Sequence, residues 1–319
     1  MRVKGIVRAL SALLGLLLCV TVPVSCTARA TRPNIEIIVA GTETEFWTGV
    51  YAGAQAAAEE YNANVKMFGP GLEKDYSRQE NILRQSIARN PGAIILAATD
   101  DAVMTGLADS ASANGIVMIA VDSRIGAERP VPCVGSDNDA LGRTLAKELK
   151  SRCAGGTVAV VSYIKESPAA KKREAGFLDE MSKSPGYSIL ETVYCDADAD
   201  TAKALTLGLI AANDDLAAIA CLNGEATIGA GRAMEKMNVR KTVLAGVDCS
   251  TEEAWLMERG ILDVTLLQNP YAMGYYGLEA AIKRLHGELA DDAVHTDVHI
   301  ITKENMFSEE NQRLIFPLS

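Results

Sequence analysis

The chain has 319 residues, of which 48% are hydrophobic and 23% charged, and its formal net charge is −10. This composition is typical of a globular protein and argues against a disordered or collagen-like chain. The acidic balance argues against a nucleic-acid ligand, because no basic stripe is available to neutralise phosphates.

The first 25 residues differ in character from the rest of the chain. Arg2, Lys4 and Arg8 make a basic start, and an apolar run follows at 9–24. A basic start, a short apolar run and a small residue before the cleavage point are typical of a secretory signal peptide. The run is too short and too interrupted by Ser, Thr and Pro to predict a membrane span of about 20 residues. We therefore predict that residues 1–25 are a signal peptide.

The apolar run ends in the sequence VPVSC at 22–26. This resembles the bacterial lipobox, in which a cysteine after a small residue is lipidated and becomes the mature N-terminus. Pro23 stands where Leu or Val is usual, so the alternative is ordinary cleavage near Ser25 with an incidental Cys26. We predict a lipidated Cys26, because an exported cysteine directly after a small residue rarely lacks a purpose. Residues 26–33 are then a short tether.

Five further cysteines follow Cys26: Cys133, Cys153, Cys195, Cys221 and Cys249. Their odd number and wide spacing, without CxxC or a Cys/His cluster, argue against a zinc site. Several lie in apolar, strand-like runs, which predicts buried free thiols rather than disulfides. We predict no metal and no cofactor.

From Asn34 onward, short apolar runs alternate with segments of helical period. Val50, Ala54, Ala57 and Tyr61, for example, recur on one face of a helix. The predicted strands are 35–40, 93–98, 116–121, 157–161, 189–194, 216–222, 243–247 and 264–267. Short strands separated by helices of about 10–15 residues indicate parallel sheets built from βαβ units. This alternation of strands and helices occurs in two successive series. We therefore predict an α/β fold of two similar lobes, each a parallel sheet flanked by helices.

Polar residues follow the predicted strands, at the edge where open α/β sheets bind ligands. The candidate binding residues at these positions are Thr44, Phe46, Trp47, Asp122, Ser123, Arg124, Asn223, Asp248 and Gln268. Asp, Asn, Gln and Arg satisfy neighbouring hydroxyls in fixed geometry. Adjacent aromatic rings can cover the apolar C–H face of a sugar. The set suits a neutral sugar or polyol.

Each of these residues also has a purely structural explanation. Asp100, Asp101 or Asp122 alone is more commonly a helix N-cap or turn residue. One of Phe46 and Trp47 is expected in the core or in a hydrophobic staple. The occurrence of the whole set at strand ends favours a binding site.

With these residues the sequence resembles the ribose-binding-protein family, sugar receptors whose type I periplasmic-binding-protein fold joins two lobes by three crossing segments. The resemblance runs from about Ile35 to Lys303. Its matching segments are EFW at 45–47, TDDAV at 99–103, VDS at 121–123, GSDN at 135–138, REAGF at 173–177, NGEATIGA at 223–230, GVD at 246–248 and QNPYAMG at 268–274. Their order and spacing together are specific.

The resemblance implies a role for each candidate residue. The aromatic rings would stack on the sugar and the polar side chains would bond its hydroxyls: Phe46, Trp47, Asp122, Asn223, Asp248 and Gln268. Lys171 stands where the family has a ligand-binding Arg, and a Lys cannot make the same bidentate fork. Ser123 occupies the position of the family's second ligand-binding Arg, and the neighbouring Arg124 could substitute for it. Thr44 occupies a position where the family has an Asn. These departures predict a pentose, hexose or polyol other than ribose.

The resemblance also implies a mechanism of lobe closure. The lobes open and close about their crossings, sugar binds preferentially to the closed form, and the permease of an ABC transporter recognises that form. The predicted borders place residues 34–136 and 269–298 in lobe 1, and residues 137–268 and 299–319 in lobe 2. We predict a monomeric receptor of the periplasm or cell envelope, anchored to a membrane by Cys26.

The same residues bear on three other classes of function. An enzyme is disfavoured, because His286, His295 and His299 lie away from the strand-end cluster and no GxSxG, P-loop or GxGxxG motif follows a strand. A regulator of the lac-repressor type would begin with a helix-turn-helix instead of a signal peptide. A receptor for a sensor kinase or chemoreceptor, or for a non-sugar ligand, remains an alternative, because it differs from a transport receptor only in its partner or its ligand.

Overall fold

The computed structural model describes residues 32–128 and 130–316. The predicted signal peptide and Cys26 lie outside these ranges and stay predictions. None of the helices in the described ranges combines the length and the apolar character that a bilayer span requires. The five later cysteines are buried and unpaired, which confirms the prediction of free thiols.

The strands of the described chain form two sheets. In chain order they are β1 (Asn34–Ile38), β2 (Asn64–Phe68), β3 (Ala93–Leu96), β4 (Val117–Val121), β5 (Cys133–Gly135), β6 (Gly156–Ser162), β7 (Tyr187–Ile189), β8 (Val193–Tyr194), β9 (Leu216–Cys221), β10 (Val243–Val247), β11 (Val264–Leu267), β12 (Ala293–His295) and β13 (His299–Ile301). The first sheet has the order β12-β5-β4-β3-β1-β2 and the second β13-β11-β10-β9-β6-β7, with β8 also paired to β6. All pairs are parallel except β11 with β13.

The central strands are buried on both faces. Ile37 pairs with Ile95 and Ile95 with Ile119, and none of the three is exposed. β-Branched residues suit such strands because helices cover both faces of a parallel sheet. This arrangement confirms the predicted fold class of two α/β lobes.

Helices connect the strands, and most begin at a polar side chain that accepts a backbone N–H. In chain order they are α1 (Glu45–Glu60), α2 (Tyr76–Arg89), α3 (Asp101–Ala113), α4 (Asn138–Arg152), α5 (Pro168–Ser182), α6 (Ala199–Ala212), α7 (Gly224–Met237), α8 (Thr251–Glu258), α9 (Pro270–Leu285) and α10 (Glu309–Ile315). Asp100, for example, accepts from the backbone N–H of Val103 at the start of α3, which agrees with the capping explanation for this residue. Such caps satisfy N–H groups that have no partner within the helix.

Two helix pairs pack at very short range because glycine stands at the contact. A Cβ atom at Gly53 of α1 would lie 1.9 Å from the carbonyl oxygen of Tyr271 in α9. A Cβ atom at Gly142 of α4 would lie 2.0 Å from the carbonyl oxygen of Arg173 in α5. Only glycine permits these approaches, and the second one fixes where Arg173 lies.

The chain passes between the two sheets three times. The passages lie between β5 and α4, between β11 and α9, and between β12 and β13. The predicted lobe borders at 136/137, 268/269 and 298/299 fall at these passages. That these borders also limit two independently moving lobes stays a prediction.

Some elements depart from the sequence-based expectation. The predicted strand 189–194 is two short strands, β7 and β8, which both pair with β6. The strand β2 was not predicted, because it lies at the sheet edge and none of its residues is buried. The helix α2 buries only Gln79, Leu83 and Ser86, too few apolar residues to give a helical pattern.

Candidate ligand-binding site

A cavity of about 460 Å³ lies between the two lobes, at the carboxyl ends of their strands. Its walls are formed by segments that follow strands of both sheets. Seven of the ten candidate binding residues line it: Thr44, Phe46, Trp47, Asp122, Asn223, Asp248 and Gln268. Residues distant in the sequence therefore converge on one cavity of the size that a small molecule requires.

The other three candidates do not line the cavity. Lys171 is exposed and its Nζ pairs with Glu166 at 2.9 Å, so the structure corrects its assignment to the site. Arg124 is exposed, and Ser123 is buried with a hydroxyl that has no hydrogen-bond partner among the described residues. Arg124 therefore does not substitute for a second ligand-binding Arg.

The cation that does line the cavity is Arg173, which is 3% exposed. Its Nη2 donates to Asp122 Oδ1 at 3.3 Å and to Gln268 Oε1 at 3.2 Å. Its Nε donates to Asn138 Oδ1 at 2.6 Å and its Nη1 to the carbonyl oxygen of Leu222 at 3.0 Å. These contacts lock the guanidinium in one orientation.

Gln268 extends this network to the second aspartate. Its Nε2 donates to Asp248 Oδ1 at 2.8 Å, and the N–H of Gly224, at the start of α7, donates to Asp248 Oδ2 at 3.1 Å. One network thus links Asp122 of the first lobe, the crossing residue Gln268 and Asp248 of the second lobe. Burial raises the pKa of both aspartates, and Arg173 opposes the increase.

Asp122 and Asp248 share a special backbone conformation. Their φ angles are 69° and 75°, in the left-handed region, where Asp is tolerated better than most residues. Neither is the N-cap of a helix, so the capping explanation does not apply to Asp122. A single residue in this conformation turns the chain sharply at the strand end.

Phe46 and Trp47 form an aromatic wall at the start of α1. Their rings meet edge to face, with centroids 4.8 Å apart. Trp47 is 4% exposed and also packs in the core of the first lobe, whereas Phe46 is half-buried. Trp47 Nε1 donates to Glu73 Oε1 at 2.6 Å, which holds a carboxyl group against the cavity.

Two candidates act as helix caps as well as lining the cavity. Thr44 is the N-cap of α1, and Asn223 is the N-cap of α7, where its Oδ1 accepts from Ala226 at 3.1 Å. Each keeps part of its hydrogen-bonding capacity after capping. The capping and binding explanations are therefore compatible at these positions.

Several residues that line the cavity were not predicted from the sequence. They are Glu73, Tyr163, Arg173, Glu225, Glu253 and the terminal segment 314–316. A signal for Arg173 existed, because it opens the matching segment at 173–177 and lies two residues from Lys171. Glu73 follows a loop after an unpredicted strand, so no pattern pointed to it.

Burial governs the ionisation of two of the missed side chains. It raises the pKa of Glu73 to about 7, and Asp122, Glu225 and Asp248 add to the increase, while the hydrogen bond from Trp47 opposes it. Burial also raises the pKa of Tyr163, so this phenol stays protonated. Within the described residues, no group of three or more His, Cys, Asp or Glu side chains could hold a metal ion.

The two lobes contact each other at the mouth of the cavity. Lys74 Nζ in the first lobe lies 3.0 Å from Asp198 Oδ2 in the second. Glu45 Oε2 accepts from the backbone N–H of Thr251 at 3.2 Å and from its hydroxyl at 3.3 Å. Because Thr251 is the first residue of α8, the Glu45 carboxylate of one lobe meets a helix N-terminus of the other. This is a closed arrangement of the lobes.

Comparison with known proteins agrees with this geometry. A family model described as a periplasmic binding protein domain matches residues 35–289. The ribose import binding protein RbsB of Escherichia coli is 23% identical over 283 residues, covering 88% of this chain and 94% of the relative. The ABC transporter periplasmic-binding protein YphF of E. coli is 26% identical and covers 82% of this chain and 84% of the relative.

Similar solved structures are also solute-binding proteins of ABC or carbohydrate transporters. An ABC transporter solute-binding protein from Agrobacterium vitis bound to α-D-tagatopyranose has a TM-score of 0.85 and 28% identity, covering 89% of this chain and 99% of its own. A carbohydrate transporter solute-binding protein from Agrobacterium radiobacter in complex with D-arabinose has a TM-score of 0.85 and 27% identity, covering 90% and 99%. The chain belongs to the periplasmic binding protein family, with two lobes that enclose a ligand site.

Proposed function

We propose that this chain is the sugar-binding receptor of an ABC-type uptake system, which captures a monosaccharide or polyol between closing lobes. The observation that carries the proposal is the network from Asp122 through Arg173 and Gln268 to Asp248, set beside an aromatic wall in one cavity. Fixed donors and acceptors beside an apolar surface suit a hydroxylated ring. The ligand is bound without chemical change.

Transport is favoured over sensing by the relatives. The proteins named above are import or ABC transporter binding proteins. A membrane permease is the partner that this function requires, and the closed lobes would present it with the surface it recognises. We place the receptor outside the cytoplasm and propose that it acts as a monomer.

The binding test compares Arg173 with Lys171. We expect Arg173→Gln to weaken sugar binding by at least about tenfold, because it removes a charged donor from the polar network. We expect Lys171→Gln to leave affinity within about twofold, because its partner is the exposed Glu166. A thermal-shift screen of pentoses, hexoses and polyols finds the ligand, and calorimetry measures both variants. Equal losses in the two variants, or no carbohydrate that raises the midpoint, would refute the proposal.

We further propose that residues 1–25 direct export and that lipidated Cys26 anchors the receptor. An exported cysteine after a small residue supports this. In the native host, Cys26→Ala should move the receptor from the membrane fraction to the soluble extracytoplasmic fraction, because the acyl chains supply the anchoring energy. Cys133→Ala is the matched control. Retention of Cys26→Ala in the membrane would reject the anchor.

A further inference from the structure

Acidic side chains far outnumber basic ones in the lining of the cavity. Among the described residues, its lining carries seven carboxyl groups, Glu43, Glu45, Glu73, Asp122, Glu225, Asp248 and Glu253, against one guanidinium, Arg173. A neutral sugar needs acceptors for its hydroxyls, but it brings no charge to offset this excess. The excess therefore requires its own explanation.

Most of these carboxyl groups either have a hydrogen-bond partner in the protein or lie exposed at the mouth of the cavity. Asp122 pairs with Arg173, Asp248 accepts from Gln268 and Gly224, and Glu45 accepts from Thr251. Glu43 is exposed. These groups are satisfied without a ligand, either by the protein or by water.

Glu73 and Glu253 are different, because no described cation pairs with either of them. The described hydrogen bond of Glu73 comes from the neutral indole N–H of Trp47. Glu253 is fully buried; its Oε2 accepts from the Ser250 N–H, whereas its Oε1 has no partner among the described residues. The adjacent Lys74 pairs with Asp198 across the cleft and is not engaged with Glu73.

A carboxylate that is taken out of water without a counter-charge destabilises the protein. A group that lines a cavity can receive that counter-charge from a ligand. An ammonium group supplies one positive charge and three N–H donors, while the rest of a sugar ring can still bond the Arg173 network.

We propose that the ligand is a polyhydroxylated ring bearing a protonated primary amine, an amino sugar or aminocyclitol, whose ammonium lies against Glu73. This inference rests on the proposed function and narrows the chemical class of its ligand. Burial raises the pKa of Glu253 well above its ordinary value, so this carboxyl is neutral and Glu73 is left as the charged partner of the ammonium.

The affinity for an amine should depend on pH through Glu73. The titratable and charged groups that act on Glu73 from the surrounding elements are Asp122, Tyr163, Arg173, Glu225 and Asp248. Because the pKa of Glu73 is raised to about 7, its carboxylate is lost as the pH falls below neutrality. A ring ammonium beside hydroxyl groups has a pKa of about 8, like an α-amino group, and stays charged at and below neutrality. Binding therefore weakens as the pH falls from 7 to 5.

The experiment uses matched ligand pairs on the mature receptor. Glucosamine is compared with glucose, galactosamine with galactose, and an inosamine with the parent inositol, by calorimetry at pH 7 and pH 5. We expect at least one amine to bind about tenfold or more tightly than its neutral partner at pH 7. The N-acetylated sugars, which keep the nitrogen and lose the charge, should not show this gain.

The variant Glu73→Gln tests whether the charge of Glu73 causes the preference for the amine. Gln keeps an oxygen for the Trp47 N–H and removes the charge, so the preference for the amine and its pH dependence should both disappear. Glu59→Gln, an exposed change on α1, is the matched control and should alter neither. The melting point of ligand-free Glu73→Gln shows whether the variant is folded.

The outcomes separate this inference from the proposed function. Neutral sugars that bind as tightly as their amino counterparts overturn the inference and leave the sugar receptor standing. Binding of neither group overturns the receptor proposal itself. A stabilisation by Ca²⁺ or Mg²⁺ alone that is lost in Glu73→Gln would identify a metal site and also overturn the inference.

Discussion

Asp122 and Asp248 occupy corresponding places in the two lobes. Asp122 follows β4, between β3 and β5, and Asp248 follows β10, between β9 and β11. Both have left-handed backbones. A β-branched residue would be strained in that conformation, so the backbone itself selects Asp, Asn or Gly at these two positions. The carboxylates are thus placed by the turn of the chain.

Glu73 should make the stability of the ligand-free protein depend on pH. Its pKa is raised from 4.5 to about 7 in the folded protein, so the folded state binds more protons than the unfolded state between these values. The free energy of unfolding therefore falls as the pH rises through this window. Relative to Glu73→Gln, the wild type should lose about 1–3 kcal/mol between pH 4 and pH 8. Urea unfolding at both values measures the difference.

Glu59→Gln is the control for this measurement, since Glu59 is exposed. If the free energy of unfolding depends on pH in the same way in the wild type and in Glu73→Gln, Glu73 remains fully solvated in the folded protein. The same result would remove the electrostatic basis for an amine at this position.

The sequence located some site residues and not others for physical reasons. Asp122, Asn223, Asp248 and Gln268 follow strands whose apolar runs are plain, so the strand ends mark them. Lys171 was misplaced because a helix repeats every 3.6 residues, and a shift of two positions turns the side chain to the opposite face. That rotation separates exposed Lys171 from buried Arg173.

At the scale of elements, the central strands of both sheets were predictable because they are almost entirely buried. Val243–Val247 and Val264–Leu267 match the predicted strands at both ends. The terminal helix α10, whose Leu314 and Ile315 line the cavity, was not predicted. It has seven residues, too few to show a helical period.

The contact between α4 and α5 should control the site through Arg173. A side chain at Gly142 meets the carbonyl oxygen of Arg173, so Gly142→Ala must push the helices apart. We expect a loss of about 1–3 kcal/mol in unfolding free energy, together with weaker sugar binding. Denaturant unfolding and calorimetry measure the two effects.

Gly208→Ala is the matched control. Outside its chain neighbours and the nearby backbone of its own helix α6, no described atom lies within 4 Å of a Cβ atom at Gly208. This change should stabilise the protein by up to about 1 kcal/mol through helix propensity and leave binding unchanged. If Gly142→Ala behaves like Gly208→Ala, the helix contact does not position Arg173.

At the scale of the whole molecule, the two contacts across the cleft differ in kind. The pair of Lys74 and Asp198 is exposed and is expected to be sensitive to salt. The contact of Glu45 with Thr251 uses a backbone N–H at a helix start. Both exist only when the lobes are together, so both stabilise the closed form.

Removal of the Lys74 contact should favour opening. We expect Lys74→Gln to raise the dissociation constant by about 1.4- to fivefold, mainly through faster release, because an exposed pair contributes about 0.2–1 kcal/mol. Lys74 is the residue to change, since Asp198 also caps α6. Stopped-flow release at low and high salt measures the effect.

Lys147→Gln, a change of an exposed lysine on α4, provides the comparison. It should leave the release rate unchanged. A release rate for Lys74→Gln that equals the wild-type rate at low salt would mean that the pair does not hold the lobes closed.

The three passages between the sheets have a consequence for how the chain is made. Neither lobe is a continuous stretch: α9 packs against α1, β12 completes the first sheet, and β13 completes the second. A nascent chain that ends before residue 268 can therefore finish neither half, and pairing of such distant segments is slow. The ribosome must release almost the whole polypeptide before its native architecture can form. This delay keeps the newly made chain open during the interval in which a translocation channel could thread it.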